Sequence, residues 1–206
     1  MRIGLCGTGG FAREVAPLAV AQAGADRVCF LVLERGDEAV NGLPVMLQND
    51  AAEDMAVSIT VADAALRRRI DSEMTAAGRT FVSIVAPTCV LRGPSQIGEG
   101  AILCDHVVIT ANVLIGRHFQ ANLFSYVAHD CVVGDFVTLA PRVCVNGNTV
   151  IEDDVYIGTG AVLKQGTPDK PLRIGRGAVI GMGAVVTKDV PAGAVVVGNP
   201  ARVLER

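Results

Sequence analysis

From residue 85 onward an aliphatic side chain returns at every sixth position: Val85, Leu91, Ile97, Leu103, Ile109, Ile115, Ala121, Val127, Val133, Leu139, Val145, Ile151, Ile157 and Leu163. Thirteen of these fourteen heads are Leu, Ile or Val, which occupy 58 of 206 positions overall, so chance would put about four there. The fifth place of most hexads is small or β-branched, as at Ala101, Val107, Val113, Ser125, Val137, Val143, Thr149 and Ala161, and Gly often follows the head, as at Gly98, Gly116, Gly134 and Gly158. Such a repeat predicts a parallel β-helix in which each hexad supplies a short strand and a corner, and stacked coils bury the heads. The register breaks after Leu163 and resumes at Ile174, Ile180 and Val186, so a five-residue insertion falls in the loop Gln165-Gly166-Thr167-Pro168-Asp169-Lys170-Pro171. The tail Val197-Gly198-Asn199-Pro200-Ala201-Arg202 leaves the repeat and is expected to pack across the last coils.

Residues 1–83 read differently. Short β-branched runs alternate with helical patterns, which predicts a small α/β, Rossmann-like domain with a mainly parallel sheet. Strands are expected at Arg2 to Cys6, Arg27 to Leu33 and Ala56 to Ala62. A helix from Phe11 to Gln22 should present Phe11, Val15, Leu18 and Ala19 on one face, with Gly24 past its end. Asn41-Gly42 marks a turn, and Asp63 fits the N-cap of a helix through Ala77. The division predicted is thus 1–83 for a small ligand-binding domain and 84–206 for the β-helix with its tail.

Composition narrows the function classes. The formal charge is −3, without the basic field that holds nucleic acid or an anionic membrane. Mean hydropathy is high, yet no segment approaches the ~20 apolar residues of a membrane span. The Gly punctuation by residue 7 comes too early for a signal peptide, so a cytoplasmic protein is expected. The six cysteines stand no closer than 13 positions, at Cys131 and Cys144, which excludes CxxC redox or zinc-ribbon spacing and predicts reduced, mostly buried thiols and no metal.

Several motifs together are specific: Gly7-Thr8-Gly9-Gly10-Phe11-Ala12-Arg13-Glu14-Val15, Asn41-Gly42-Leu43-Pro44-Val45, Val127-Ala128-His129-Asp130-Cys131-Val132-Val133-Gly134-Asp135-Phe136, Asn146-Gly147-Asn148 and Gly198-Asn199-Pro200-Ala201-Arg202. Over nearly its whole length the chain resembles the bacterial sugar acetyltransferases of the sialic-acid O-acetyltransferase type, which include N-acetyltransferases of amino-sugar nucleotides. The resemblance implies a left-handed β-helix, a homotrimer, acetyl-CoA in the groove between subunits, and a nucleotide-linked sugar on the N-terminal domain. It implies an acetyl-CoA-dependent transferase, of N- more than O-acetyl groups, serving surface polysaccharide. Its base is His129, supported by Asp130, with direct transfer and no acyl-enzyme. Cofactor contacts carry over to Gly147, Val150, Thr159 and Met182, and acceptor contacts to Gly9, Gly10, Phe11, Asn122 and Thr138.

The chemistry suits these residues. Removing a proton from an amine or hydroxyl at neutral pH needs a base such as histidine, and the oxyanion that develops needs donors. With three hexads per coil, residues 18 apart stack at roughly 4.8 Å. His129 then lies between Ala111 and Gly147, small neighbours expected to leave room for a ligand, and Asp130 between Asn112 and Asn148, an uncharged polar ladder. Gly147 can offer its N–H to the oxyanion. Cys131, at a fifth position, should point into the prism and serve structure rather than nucleophilic attack. His106 and His118 are expected to be solvated corner residues, and the closely spaced ligand histidines of a metal-dependent hydratase built on a β-helix are not found.

The turn Gly7-x-Gly9-x-x-Ala12 satisfies the dinucleotide pattern, but a dehydrogenase needs a larger nucleotide domain. Two departures from the family bear on the acceptor. Val32-Leu33-Glu34 stands where relatives carry an acidic pair, and Thr138 where some place a second histidine. A reading from another class is a ligand-binding or scaffolding trimer without activity.

Overall fold

A computed structural model describes residues 1–34 and 36–205. Contacts divide the chain into two units, residues 1–85 with 99–102, and residues 86–98 with the rest from 103 onward.

In the first unit, strands β1 (Ile3–Cys6), β2 (Val28–Val32), β4 (Leu43–Leu47) and β5 (Ala56–Ile59) are parallel, and β3 (Ala39–Val40) pairs antiparallel with β4, giving the order β3-β4-β2-β1-β5. β1 is buried throughout, as a central parallel strand covered on both faces must be. The β3–β4 hairpin turns on Asn41 and Gly42, both at positive φ (50° and 80°), as a two-residue turn of this twist requires. Helix α1 (Gly10–Ala23) buries Ala12, Val15, Ala16 and Ala19, while Phe11 and Leu18 are only half-buried. Val15 and Ala19 are inward as expected, while Ala12 and Ala16 take the inward places expected of Phe11 and Leu18, because small side chains let the helix lie close. Helix α2 (Ala64–Ala76) is capped by Asp63, whose side chain accepts from Leu66 N at 2.7 Å.

The second unit is a three-faced parallel β-helix. One face stacks Val90–Leu91, Val108–Ile109, Tyr126–Val127, Cys144–Val145, Val162–Leu163 and Val185–Val186. The next face stacks Ser95–Ile97, Val113–Ile115, Val132–Val133, Thr149–Ile151 and Leu172–Ile174. The third carries Gln120–Ala121, Thr138–Leu139, Tyr156–Ile157, Val179–Ile180 and Val195–Val197. Partners such as Val108 and Tyr126, or Val132 and Val150, are 18 residues apart, so three hexads close one coil. The spacing lengthens to 23 from Val150 to Arg173, which is the five-residue insertion. The tail turns back after Gly198, and Arg202–Val203 pairs antiparallel with Val196–Val197.

Heads and fifth positions from Leu103 to Val186 fill the prism with buried aliphatic and small side chains. Leu91 is an exception at 52% exposed, since no earlier coil of this unit covers it. Each corner is made by a fourth residue in the left-handed region: His106, Asn112, His118, Phe124, Asp130, Phe136, Arg142, Asn148 and Asp154 all have φ between 52° and 62°. Only Asn and Asp adopt that conformation cheaply, so stacking has to hold the others. Phe124 stacks on His106 at 4.8 Å and Phe136 on His118 at 5.2 Å. His118 is therefore fully buried, not the solvated corner residue expected.

Candidate active site

His129 and Asp130 are the third and fourth residues of one hexad, at the corner joining the Tyr126–Val127 strand to the Val132–Val133 strand. The left-handed φ of 57° at Asp130 turns its carboxylate toward the preceding ring. His129 Nδ1 lies 2.7 Å from Asp130 Oδ2, and both side chains are about half exposed (48% and 46%). The hydrogen bond from His129, and then one from Asn112, holds the Asp130 carboxyl below its usual range. An ionised carboxylate only accepts, so Nδ1 donates to it, and in the neutral ring Nε2 is the nitrogen that carries the lone pair. Asn112 Nδ2 donates to Asp130 Oδ1 at 3.0 Å from the coil before.

The other half of the expected polar ladder is different. The Asn148 side chain makes no hydrogen bond among the described residues. Its backbone N–H instead donates to the His129 carbonyl at 3.1 Å, fixing the corner from the coil after.

Gly147 is likewise used differently from expectation. A Cβ there would sit 2.5 Å from His129 Cε1 and 2.6 Å from Nε2. The vacancy beside glycine is filled by the imidazole itself, not left for a ligand. The Gly147 N–H makes no hydrogen bond among the described residues, so it is available beside the base.

Cys131 is buried, with its thiol pushed up by burial and its Sγ 3.4 Å from the Asn146 carbonyl. It points into the prism and cannot offer a thiolate at this corner. Asn146 is tied in turn by Tyr126 Oη at 2.6 Å and donates to the Leu163 carbonyl at 2.8 Å.

The remaining candidates do not meet His129 within one chain. Val150 lies on the adjoining face. Asn122, Thr159 and Met182 sit at a different corner, after strands of the third face. There Asn122 Oδ1 accepts from Leu123 N at 2.9 Å, Gly183 N bonds Thr159 O in the coil before, and Met182 is 81% exposed. Thr138 is buried in a third-face strand. Gly9 and Gly10 are exposed and Phe11 half-buried at the start of α1, in the first unit.

Sequence reasoning missed a pocket of about 550 Å³ lined by residues 164–167, 170–172 and 187–189. Its signal was available. The chain has three lysines, Lys164, Lys170 and Lys188, and all three line this pocket. Among the described residues no three His, Cys, Asp or Glu side chains group as a metal site, and no helix is long and apolar enough to cross a membrane.

Residues 130–165 match the bacterial transferase hexapeptide model (six repeats). The chain is 43% identical, over 98% of its length and 96% of the relative's, to GDP-perosamine N-acetyltransferase of Escherichia coli O157:H7. Among solved structures it is similar to WeeI from Acinetobacter baumannii AYE, with 47% identity, a TM-score of 0.95, and coverage of 99% of this chain and 100% of that one. It is also similar to the acetyltransferase domain of PglB from Neisseria gonorrhoeae FA1090 in complex with acetyl coenzyme A, with 30% identity, a TM-score of 0.89 and 98% coverage of each chain.

Proposed function

The chain belongs to the bacterial hexapeptide transferases, and from that premise we propose that it moves the acetyl group of acetyl-CoA to the amino group of a nucleotide-linked sugar, with His129 as general base. The observation that carries the reading is the half-exposed imidazole fixed at Nδ1 by an ionised Asp130, beside the available Gly147 N–H.

In this reading the transfer runs as follows. His129 Nε2 takes a proton from the sugar amine as the nitrogen attacks the thioester carbonyl. Asp130 keeps the ring in the reactive tautomer and stabilises the imidazolium that forms. The Gly147 N–H, which has no partner among the described residues, is assigned as a donor to the oxyanion of the tetrahedral intermediate. Collapse breaks the C–S bond, and the imidazolium returns its proton to the departing thiolate. The amide is taken to form directly, a reading supported by the burial of the Cys131 thiol two residues from the base.

We place the site between copies in a homotrimer with left-handed coils. This reading is supported by the distribution of candidates over two corners, one with His129, Asp130 and Gly147, the other with Asn122, Thr159 and Met182. Thr138 and Val150, on two of the faces, are assigned to acceptor and cofactor in the same arrangement. The nucleotide sugar is assigned to Gly9, Gly10 and Phe11, within a cytoplasmic enzyme of the sialic-acid O-acetyltransferase type serving surface polysaccharide. GDP-perosamine, named for the Escherichia coli relative, is the first acceptor to try.

Incubation with acetyl-CoA and a panel of nucleotide-linked amino sugars, following thiol release and product mass, tests the function. The expected product is an amide that survives mild base. Silence across the panel, or a base-labile ester, would overturn the reading.

A further inference from the structure

Along the corner that carries His129, a backbone hydrogen bond holds the entry to each turn. Arg92, Thr110, Ala128 and Lys164 donate their N–H groups to head carbonyls one coil on, those of Ile109, Val127, Val145 and Val186, at 2.8 to 3.0 Å. Asn146 departs from this ladder. The carbonyl that its backbone would use, that of Leu163, accepts instead from the Asn146 side-chain Nδ2 at 2.8 Å, and the Asn146 N–H makes no hydrogen bond among the described residues. Tyr126 fixes which end of that amide faces Leu163, because its Oη donates to Asn146 Oδ1 at 2.6 Å.

The backbone carbonyl of Asn146 is held from inside the prism. Thr149, wholly buried at a fifth position, donates its Oγ1 to that oxygen at 2.7 Å, and the buried Cys131 reaches it from the coil before at 3.4 Å. The hydroxyl is the stronger donor of the two. Both donors lie inward, so this carbonyl faces the prism interior, and across a planar trans peptide the N–H lies opposite its C=O. That N–H belongs to Gly147. It therefore points out of the prism, at the corner of His129. The peptide that follows is pinned as well, since the Gly147 carbonyl accepts from Gly166 N at 3.0 Å and Asn148 N donates to the His129 carbonyl at 3.1 Å. A carbonyl that accepts a hydrogen bond also polarises its own amide and strengthens the N–H as a donor.

Resting on the acetyl-transfer reading, we propose that Thr149 and Asn146 are positioning residues for the transfer: the Thr149 hydroxyl, together with the Asn146 side-chain amide held by Tyr126, aims the Gly147 N–H at the thioester carbonyl. A contrast within the chain separates this role from support of the prism. Ser125, buried at a different corner, donates its Oγ to the Ala140 carbonyl at 2.9 Å. The residue after Ala140 is Pro141, which has no N–H to direct. The inward hydroxyl of Ser125 thus supports structure only, whereas that of Thr149 also orients a donor.

The test reads the thioester carbonyl itself, by isotope-edited infrared spectroscopy of carbonyl-labelled acetyl-CoA bound to the full-length protein, beside steady-state kinetics. The wild type should move the carbonyl band to lower frequency on binding, as a hydrogen bond to that oxygen does. Thr149→Val, which keeps the shape and removes the hydroxyl, should lose most of the shift and lower kcat about tenfold, with KM for acetyl-CoA within about twofold. Thr149→Ser should bring both back to within about twofold of the wild type. Asn146→Ala installs the residue that the coil before carries there, Ala128, and should also lose the shift; it carries the test if Thr149→Val does not fold. Ser125→Ala removes the matching buried hydroxyl and should change neither the band nor kcat. A full shift and native kcat in Thr149→Val and Asn146→Ala overturn the proposal. So does an equal loss in Ser125→Ala, which would make both hydroxyls supports of the prism, or a change confined to KM. Acetylation of a sugar by a wild type that leaves the band unmoved rejects this proposal and keeps the acetyl-transfer reading. A hydroxyl-dependent shift with no sugar acetylated sustains the proposal and rejects that reading. Failure of the wild type to bind acetyl-CoA rejects both.

Discussion

The imidazole of His129 occupies the volume that any side chain at residue 147 would need. A Cβ on Gly147 would lie within 2.6 Å of both Cε1 and Nε2, so glycine here serves the ring's position as well as the exposure of its own N–H.

Gly147→Ala should therefore swing the imidazole off its place. We expect kcat to fall at least about tenfold while the fold loses no more than ~1 kcal/mol, since the half-exposed ring can move into solvent. Steady-state kinetics and a denaturant melt measure the two. Native kcat in this variant would show that the ring's position does not matter.

Asp130 gives a prediction with a sign. Its carboxyl is held low first by the hydrogen bond with His129 and then by Asn112. A native value below the unfolded one, about 3.9, means that the contribution of the pair is present above the unfolded value and is lost only as pH falls through the lower native value. Carboxyl titration by NMR should place the Asp130 midpoint below the ordinary range. Asn112→Ala should move it upward, and His129→Ala should move it further. Asp130→Asn, which cannot select the Nδ1–H tautomer, should cost kcat at least about tenfold. A midpoint unmoved by both substitutions would remove the carboxylate from its assigned role.

Cys131 distinguishes direct transfer from an acyl-enzyme. Its thiol is buried and pushed up by that burial, so the folded protein should protect it from iodoacetamide at pH 7. Cys131→Ala should keep kcat within about twofold, at a cost of ~1 kcal/mol for the small cavity. Loss of all turnover in a folded Cys131→Ala protein would point instead to a thioester intermediate.

Much of the β-helix was legible because burial repeats along it. Heads such as Leu139 and Val145 and fifth positions such as Val137 and Val143 are inward, and hydrophobicity reports inward positions directly. The 18-residue stacking followed from three hexads per coil and correctly paired Asn112 with Asp130. Corner contents were harder to read. The stacking put Gly147 beside His129, but only coordinates show that the ring takes the space. His118 is polar and stands at a turn, yet its partner 18 residues on is Phe136, and the stacked rings are buried together. The lysine pocket is assembled by an insertion, which breaks the period that pattern reading relies on. On α1, Val15 and Ala19 were legible as inward, but Phe11 and Leu18 outweigh alanines in hydrophobicity, and close packing selected Ala12 and Ala16 in their place.

The most direct test is the kcat of His129→Ala for acetyl transfer to an amino-sugar nucleotide, with coenzyme A binding measured on the same protein. Loss of the base should lower kcat by about 10²–10⁴ and leave coenzyme A binding within a few-fold of the wild type. Unchanged kcat would contradict the assignment of His129 and the mechanism built on it.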